Sequence, residues 1–229
     1  MTRFKELCLD TADPHSRIAD FWAQAAGLRV ERRRPDEPGD VLGEEEYQGI
    51  AICGVGEAKT VKNRVHLDVY ARAVDDLIAL GARVLEPMER WTVMADPEGN
   101  EFCAFLREDP PGYRVHGIGV DSADAEAAAS WWATVLGTPA PVRGHDGTFW
   151  TLEHATPDPV LTWDFADVPE PKTVKNRMHW DVFGDPVELT DLGAQFLWQV
   201  PGRTRPVAWH VLADPQGNEF CVFPPEDAA

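Results

Sequence analysis

The sequence predicts an α+β fold that is built twice in tandem, and three repeated motifs carry this prediction. The pairs are KTVKNRVHLDV (Lys59–Val69) with KTVKNRMHWDV (Lys172–Val182), DPEGNEFC (Asp96–Cys103) with DPQGNEFC (Asp214–Cys221), and DTAD (from Asp10) with DSAD (from Asp121). The offsets between partners are 113, 118 and 111 residues. Because the motifs recur in the same order, they indicate an internal duplication.

Within each half, the elements follow from hydrophobic period and from turn residues. Residues 6–10 alternate as a half-buried strand does. A helix is predicted from the Asp13-Pro14 pair to Gly27, since apolar residues between them recur at helical spacing. About three strand-like segments follow, and Arg64–Tyr70 then begins the series again. Each half is therefore predicted to contain two βαβββ modules.

The boundary between the halves is predicted at a segment rich in Pro and Gly, residues 108–112. Such residues continue neither a strand nor a helix, so we expect domains at residues 1–110 and 113–225. The second half has six extra residues around Val200–Arg205, and we expect them in a loop, where added length costs little stability.

Composition restricts the possible partners. Lys and Arg number 21 against 39 Asp and Glu, a net charge of −18, which disfavours nucleic acid. No segment approaches the roughly 20 apolar residues of a membrane-spanning helix, and the first residues lack the apolar core of a signal peptide. The four cysteines form no CxxC pair and are expected to be reduced. We expect a cytoplasmic monomer or homodimer with a small-molecule ligand.

The strand Arg64–Tyr70 has one apolar and one polar face. Alternation opposes Val65, Leu67 and Val69 to a polar set comprising Arg64, His66, Asp68 and Tyr70. The second copy repeats the polar set with Arg177, His179, Asp181 and Phe183. Because the apolar face packs under helices, the polar face is predicted to line a ligand site. The alternative is that His66 and Asp68 are a hydrogen-bonded pair on an exposed sheet.

In four motifs, D-x-A-D, K-N-R-x-H-x-D, L-G-A and D-P-x-G-N-E-F-C, each present twice, the chain resembles glyoxalase-like domains of the vicinal-oxygen-chelate superfamily. The resemblance covers nearly the whole chain. It implies two tandem domains, each with two βαβββ modules whose mixed sheet forms a cup with helices outside. It also implies a small oxygenated organic ligand and lyase, isomerase or dioxygenase chemistry.

Metal-dependent members of this superfamily hold a divalent ion with His or Glu from four strands. Carried over, the first set comprises Glu6, a residue near Ala51, His66 and Cys103. The second set comprises Gly117, a residue near Asp164, His179 and Cys221. Neighbouring His116 is predicted on the helix-covered face. Because both sets lack ligands, the sequence favours a protein without a cofactor. The alternative is a divalent metal such as Zn, Fe, Mn or Ni, with Glu6, His66 and Cys103 as the candidate metal site.

Three functions remain open. The first is an enzyme in which His66 or His179 is the general base or a metal ligand. Its candidate substrate-binding residues are Arg64, Asp68, Tyr70, Trp91, Arg177, Asp181 and Trp209. The second is a metal-independent protein that sequesters a small compound, as bleomycin-resistance proteins do. In the third, one cup has decayed into a packing partner, which the replacement of Glu6 by Gly117 favours. A nucleophilic pair of Cys103 with His66 is a weaker alternative.

Overall fold

The computed structural model describes residues 1–13, 15–32, 38–198 and 209–224. The elements follow the order strand, helix, three strands, and this order occurs four times. The predicted βαβββ modules are therefore confirmed. The insertion predicted around Val200–Arg205 lies outside the described residues. No helix in the described ranges is long and apolar enough to span a membrane.

The bounds of the elements are as follows. The first module contains β1 (Arg3–Thr11), α1 (Ile18–Ala26), β2 (Arg29–Glu31), β3 (Asp40–Leu42), a 3₁₀ turn (Glu46–Gln48) and β4 (Ile50–Gly54). The second contains β5 (Val65–Ala71), α2 (Val74–Ala79), β6 (Arg83–Pro87), β7 (Thr92–Ala95) and β8 (Glu101–Leu106). The third contains β9 (Val115–Ser122), α3 (Ala125–Leu136), β10 (Val142–Arg143), β11 (Phe149–Leu152) and β12 (Thr162–Asp167). The fourth contains β13 (Met178–Phe183), α4 (Pro186–Asp191), β14 (Gln195–Trp198), β15 (His210–Ala213) and β16 (Glu219–Phe223).

The strands form two eight-stranded mixed sheets, which confirms the predicted fold class. The second and third modules form the central sheet, in the order β10-β11-β12-β9-β5-β8-β7-β6. The first and fourth modules form the terminal sheet, in the order β14-β15-β16-β13-β1-β4-β3-β2. Each sheet thus takes one module from each half of the sequence, so the expectation that the two modules of one half form one cup is wrong. Strand pairing therefore crosses the predicted boundary near residues 110–113.

Both sheets bury their apolar faces in one shared core. Val65, Leu67 and Val69 on β5 are each at most 1% exposed, on the face that alternation predicted. Trp132 of α3 contacts Trp163 of the central sheet and Trp180 of the terminal sheet, with ring centroids 5.4 and 5.0 Å apart. The polar faces therefore point away from the core, on opposite outer sides of the molecule.

Helix α1 begins later than the sequence predicts. It starts at Ile18 rather than at Asp13, whose carboxylate accepts a hydrogen bond from the backbone of His15 at 2.8 Å. This local turn satisfies Asp13 before the helix starts. Gly27 ends the helix in the left-handed region, with φ of 73°, as predicted.

The repeated motifs hold the chain segments between the sheets in place. Lys59 donates to Glu101 at 2.9 Å, and the backbone of Asn63 donates to the other oxygen of Glu101 at 3.0 Å. The second half repeats these contacts with Lys172, Asn176 and Glu219. The recurrence of K-x-x-x-N with G-N-E in both halves therefore has a structural basis.

Candidate functional site

The outward face of the central sheet, which we call the central cup, carries a cluster of polar side chains. His66 and Asp68 come from β5 and Cys103 from β8, and one donor atom of each lies within 4.8 Å of the other two. His66 Nε2 is 3.6 Å from Asp68 Oδ1. Asp164 on β12 accepts a hydrogen bond from Thr151 at 2.6 Å and adds a second carboxylate beside this cluster.

Two glycines on β9 make room for this cluster. Gly119 pairs with His66 and Gly117 pairs with Asp68. A Cβ atom on Gly119 would overlap the His66 ring, and one on Gly117 would lie 3.0 Å from Asp68 Oδ2. The absence of a Glu6 counterpart at Gly117 therefore gives Asp68 space within the central cup.

An aromatic wall stands beside the cluster. Tyr70 stacks on His116 with ring centroids 3.9 Å apart, Phe105 meets His116 at 4.8 Å, and Trp91 stacks on Phe105 at 5.7 Å. The prediction that His116 lies on the helix-covered face is wrong. The register between β5 and β9 shifts after Asp68, and this irregularity turns His116 towards Tyr70. Burial lowers the pKa of His116 to about 4, so its ring is neutral at neutral pH.

The central sheet curls until its two edges approach each other. Arg90 lies between β6 and β7, and His145 lies between β10 and β11, at opposite ends of the strand order. In a flat sheet, strands seven spacings apart would be separated by roughly 34 Å. Arg90 Nη1 nevertheless lies 2.6 Å from His145 Nε2. This contact, which we call the clasp, shows that the sheet has the curvature of a cup.

Burial changes the ionisation of the cluster. It raises the pKa of Asp68 to about 6, against the attraction of His66. It also raises the pKa of Cys103 far above its ordinary value, and the neighbouring Asp68 raises it further. Cys103 is therefore a neutral thiol, which does not favour the nucleophilic pair with His66.

The terminal sheet carries the equivalent cluster in the terminal cup, its outward face. His179, Asp181 and Cys221 place one donor atom each within 4.8 Å of one another, and all three residues are buried. Burial lowers the pKa of His179 to about 3 and raises the pKa of Asp181 to about 7. The buried cluster therefore holds a neutral imidazole at neutral pH.

In the terminal cup, side chains on β1 occupy the positions that glycines hold in the central cup. At the repeat offset of 111, Glu6 and Cys8 correspond to Gly117 and Gly119. Cys8 pairs with His179, and its sulphur lies 2.9 Å from the sulphur of Cys53 on β4. The terminal cup is therefore more densely filled than the central cup.

The structure distributes the predicted site residues over three places. Tyr70 and Trp91 join His66, Asp68 and Cys103 in the central cup. Asp181 and Trp209 lie in the terminal cup, where Trp209 stacks on Phe223 at 5.5 Å. Arg64 and Arg177 lie in neither cup, because each precedes the first residue of its strand and turns into a cavity between the sheets.

The predicted metal set of Glu6, His66 and Cys103 is not assembled. Glu6 belongs to the terminal sheet, because β1 pairs with β13 and not with β5, whereas His66 and Cys103 belong to the central sheet. Asp68 lies with them instead. The predicted set omits Asp68, although its i+2 spacing from His66 on one strand face indicates it as a donor.

The donors of the central cup fit the divalent metal that the resemblance implies. They comprise one nitrogen, one carboxylate and one sulphur, a mixture that suits zinc provided that the thiol of Cys103 loses its proton when the metal binds. The buried Oδ1 of Asp68 has no hydrogen-bond partner among the described residues, so it is available for coordination.

Comparisons with known proteins agree with this architecture. Glyoxalase I from Zea mays superposes with a TM-score of 0.69 at 14% sequence identity, covering 98% of this chain and 92% of that chain. A "putative dioxygenase" from Bacillus subtilis subsp. subtilis str. 168 superposes with a TM-score of 0.60 at 14% identity, covering 98% and 85%. At these identities the likeness shows the fold alone. No curated protein sequence gives a significant match.

The sequence profile described as Glyoxalase-like domain matches this chain twice, at residues 6–105 and 117–223. These segments cover most of the chain and correspond to its two repeats. The chain therefore belongs to the glyoxalase-like domain family.

Proposed function

We propose that the central cup binds a small oxygenated organic molecule and that His66 acts on it as a general base. The observation that carries this proposal is the difference in exposure between the two equivalent histidines. The His66 side chain is 21% exposed, whereas that of His179 is 7% exposed. A base must reach the proton that it removes, so His66 is the better candidate.

The neighbours of His66 support this role. Asp68 lies 3.6 Å away and, when ionised, stabilises the imidazolium that forms as His66 takes a proton. The aromatic wall offers a flat apolar surface for the body of the ligand. Proton removal next to a carbonyl group is a step shared by isomerases and lyases.

A divalent metal in this cup would be held by His66, Asp68 and Cys103, and it would polarise an oxygen atom of the ligand. In the metal-free protein, His66 is available to accept a proton, and Asp68 and the aromatic wall orient the ligand beside it. One nitrogen of His66 cannot bind a metal and accept a proton at the same time, so these two roles exclude each other.

The aromatic wall favours a second candidate function, metal-independent sequestration of a small aromatic compound. Four rings, those of Tyr70, Phe105, Trp91 and His116, contact one another beside the cluster. Stacking on such a surface holds a planar ligand without chemical change. This function requires the same cup but no proton transfer.

The experiment is a thermal-shift screen followed by calorimetry, with Zn²⁺, Fe²⁺, Mn²⁺ and Ni²⁺ and with small hydroxy-ketones, 2-oxo acids and phenols. The matched variants are His66→Ala and His179→Ala, since the two residues are equivalent in the repeat. We expect a ligand that raises Tm in the parent protein and in His179→Ala but not in His66→Ala. A ligand that binds all three equally would overturn the proposal.

Product analysis by NMR then separates the two functions. Conversion of the bound ligand, lost in His66→Ala, supports the enzyme. Binding of aromatic compounds without conversion, and without dependence on metal, supports sequestration.

A further inference from the structure

Two linkers carry the chain between the sheets, and they face each other across the middle of the molecule. The first joins β4 to β5 and the second joins β12 to β13, and each contains the repeated KTVKNR segment. Arg64 donates to the backbone oxygen of Glu170 at 2.8 Å, and Arg177 donates to that of Glu57 at 2.7 Å. This reciprocal contact gives the region an approximate twofold arrangement.

A cavity of about 590 Å³ lies between the linkers. Its lining comes from residues 57–64 and 170–177 together with Asp10 and Asp121. Neither His66 nor His179 belongs to the lining, so this linker cavity is separate from both cups. Its volume falls within the range of roughly 300–1,000 Å³ that small-molecule sites occupy.

The linker cavity is lined by more cationic than acidic side chains, six against four. Six of the 21 Lys and Arg residues line it, namely Lys59, Lys62, Arg64, Lys172, Lys175 and Arg177. Each of the four lysines has a carboxylate partner. The pairs are Lys59 with Glu101, Lys62 with Asp121, Lys172 with Glu219 and Lys175 with Asp10.

The two arginines differ from the lysines. Among the described residues, Arg64 and Arg177 form hydrogen bonds to backbone oxygens and no ion pair with a carboxylate. The Nε–H group of each is buried and has no hydrogen-bond partner in the part of the chain that the structure describes. Each linker therefore contributes one guanidinium group with unused donor capacity, and a planar guanidinium matches a carboxylate.

The lining also contains two exposed apolar side chains at equivalent positions. Val61 is 44% exposed and Val174 is 41% exposed. Glu57 and Glu170 are exposed and also line the cavity. Because their carboxylates repel an anion, the affinity for an anion depends on the arginines. Two arginines and two exposed valines, one of each from either linker, define the chemistry of a matching ligand.

We infer that the linker cavity is a second binding site, for a small organic dianion whose two carboxylates flank an apolar or aromatic body. One carboxylate pairs with Arg64 and the other with Arg177, and the body lies against Val61 and Val174. The inference is independent of the function proposed for the central cup.

The test is calorimetry on the full chain with terephthalate, benzoate and 1,4-benzenedimethanol, which have two, one and no carboxylates on the same ring. We expect terephthalate to bind at least about tenfold more tightly than benzoate, because a second desolvated charge pair adds more than about 1.4 kcal/mol, and the diol not to bind measurably. Absence of terephthalate binding, or equal affinity for all three compounds, would overturn the inference.

Variants locate the site. Arg64→Gln and Arg177→Gln should each weaken terephthalate binding by about tenfold or more. Arg72→Gln, at the far end of β5, and His66→Ala should leave it unchanged. Unchanged binding in both cavity variants, or loss in His66→Ala alone, would contradict this location.

A second pair of variants guards against misfolding of the arginine variants. Val61→Asn and Val174→Asn change exposed side chains, so the fold tolerates them. They should weaken terephthalate binding several-fold with Tm unchanged, and Glu57→Gln should strengthen it because it removes an opposing charge. Unchanged affinity in all three would refute the proposed contacts.

Discussion

The two cups carry the same cluster on equivalent strands, yet the cluster of the central cup is more exposed than that of the terminal cup. His66 and Asp68 are 21% and 14% exposed, whereas His179 and Asp181 are both 7% exposed. The strand that pairs with the cluster makes the difference, since β9 presents glycines where β1 presents Glu6 and Cys8. Access to a polar cluster is therefore decided by the neighbouring strand and not by the residues of the cluster.

The largest effect is expected from converting the central cup into a copy of the terminal cup. Gly119→Cys places a side chain where the His66 ring lies, so the ring must move. We expect at least about tenfold weaker binding of any central-cup ligand, measured by calorimetry, and a stability loss of about 1–3 kcal/mol from overpacking. Retention of parent affinity would show that the glycines are not needed for access.

The matched variant is Cys8→Gly, which copies the central cup into the terminal one. It should increase the modification of His179 by diethyl pyrocarbonate, detected by peptide mass. No increase would mean that Glu6 or another side chain closes the terminal cup.

The terminal cup should respond to oxidation, and the central cup should not. Cys8 and Cys53 have sulphur atoms 2.9 Å apart, and their counterparts in the central cup are Gly119 and Ala166. With diamide, two thiols lose two protons and two electrons and form a disulfide. The number of reactive thiols should fall from four to two. The disulfide closes the loop between Cys8 and Cys53, which raises the free energy of unfolding by up to about 4 kcal/mol.

Cys53→Ala is the control for oxidation and should lose both effects. If diamide leaves four reactive thiols under denaturing conditions, the proximity of the two sulphur atoms does not lead to a bond.

Stability should depend on pH through both cluster aspartates, more strongly through the buried Asp181 than through the partly buried Asp68. Burial raises the pKa of Asp181 to about 7 and that of Asp68 to about 6. A carboxyl whose pKa is raised by folding binds more protons in the folded state, so its contribution lowers the free energy of unfolding as pH rises from about 4 to the folded pKa. Asp181→Asn removes this decrease.

We expect Asp181→Asn to be more stable than the parent by roughly 2–4 kcal/mol at pH 8, with a smaller gain near pH 4. Asp68→Asn should show the same trend with a smaller gain. Chemical denaturation at several pH values measures both. An equal difference at all pH values would show that Asp181 does not titrate between these limits.

The smallest effect is expected at the clasp. Arg90→Ala removes an exposed contact with His145, so Tm should change by no more than about 2 °C. Ligand association with the central cup should become faster if the clasp restricts entry, which stopped-flow fluorescence of Trp91 can measure. A large fall in Tm would instead indicate that the clasp holds the curvature of the sheet.

Features governed by local pattern could be predicted from the sequence, and features governed by pairing could not. Alternation along β5 placed Val65 in the core and His66 and Asp68 on the outer face. His116 was misplaced because its orientation depends on a register shift against β5. Glu6 was grouped with His66 because nothing in the repeat specifies which modules share a sheet.

Arg64 shows a third limit of the sequence pattern. Alternation applies within a strand, and β5 begins only at Val65, so the preceding arginine is free to turn towards the second linker. The same holds for Arg177 before β13. Strand ends depend on pairing with neighbours, which hydrophobic period alone does not reveal.

The exchange of modules between the halves makes the two repeats interdependent. A chain cut near residue 112 would leave the edges of β1 and β5 without their partners β13 and β9. Unpaired edges of this length recruit other strands. One isolated repeat would therefore pair its strands with those of a second copy of itself. In the full chain the two repeats are covalently joined, so both pairing partners come from one molecule.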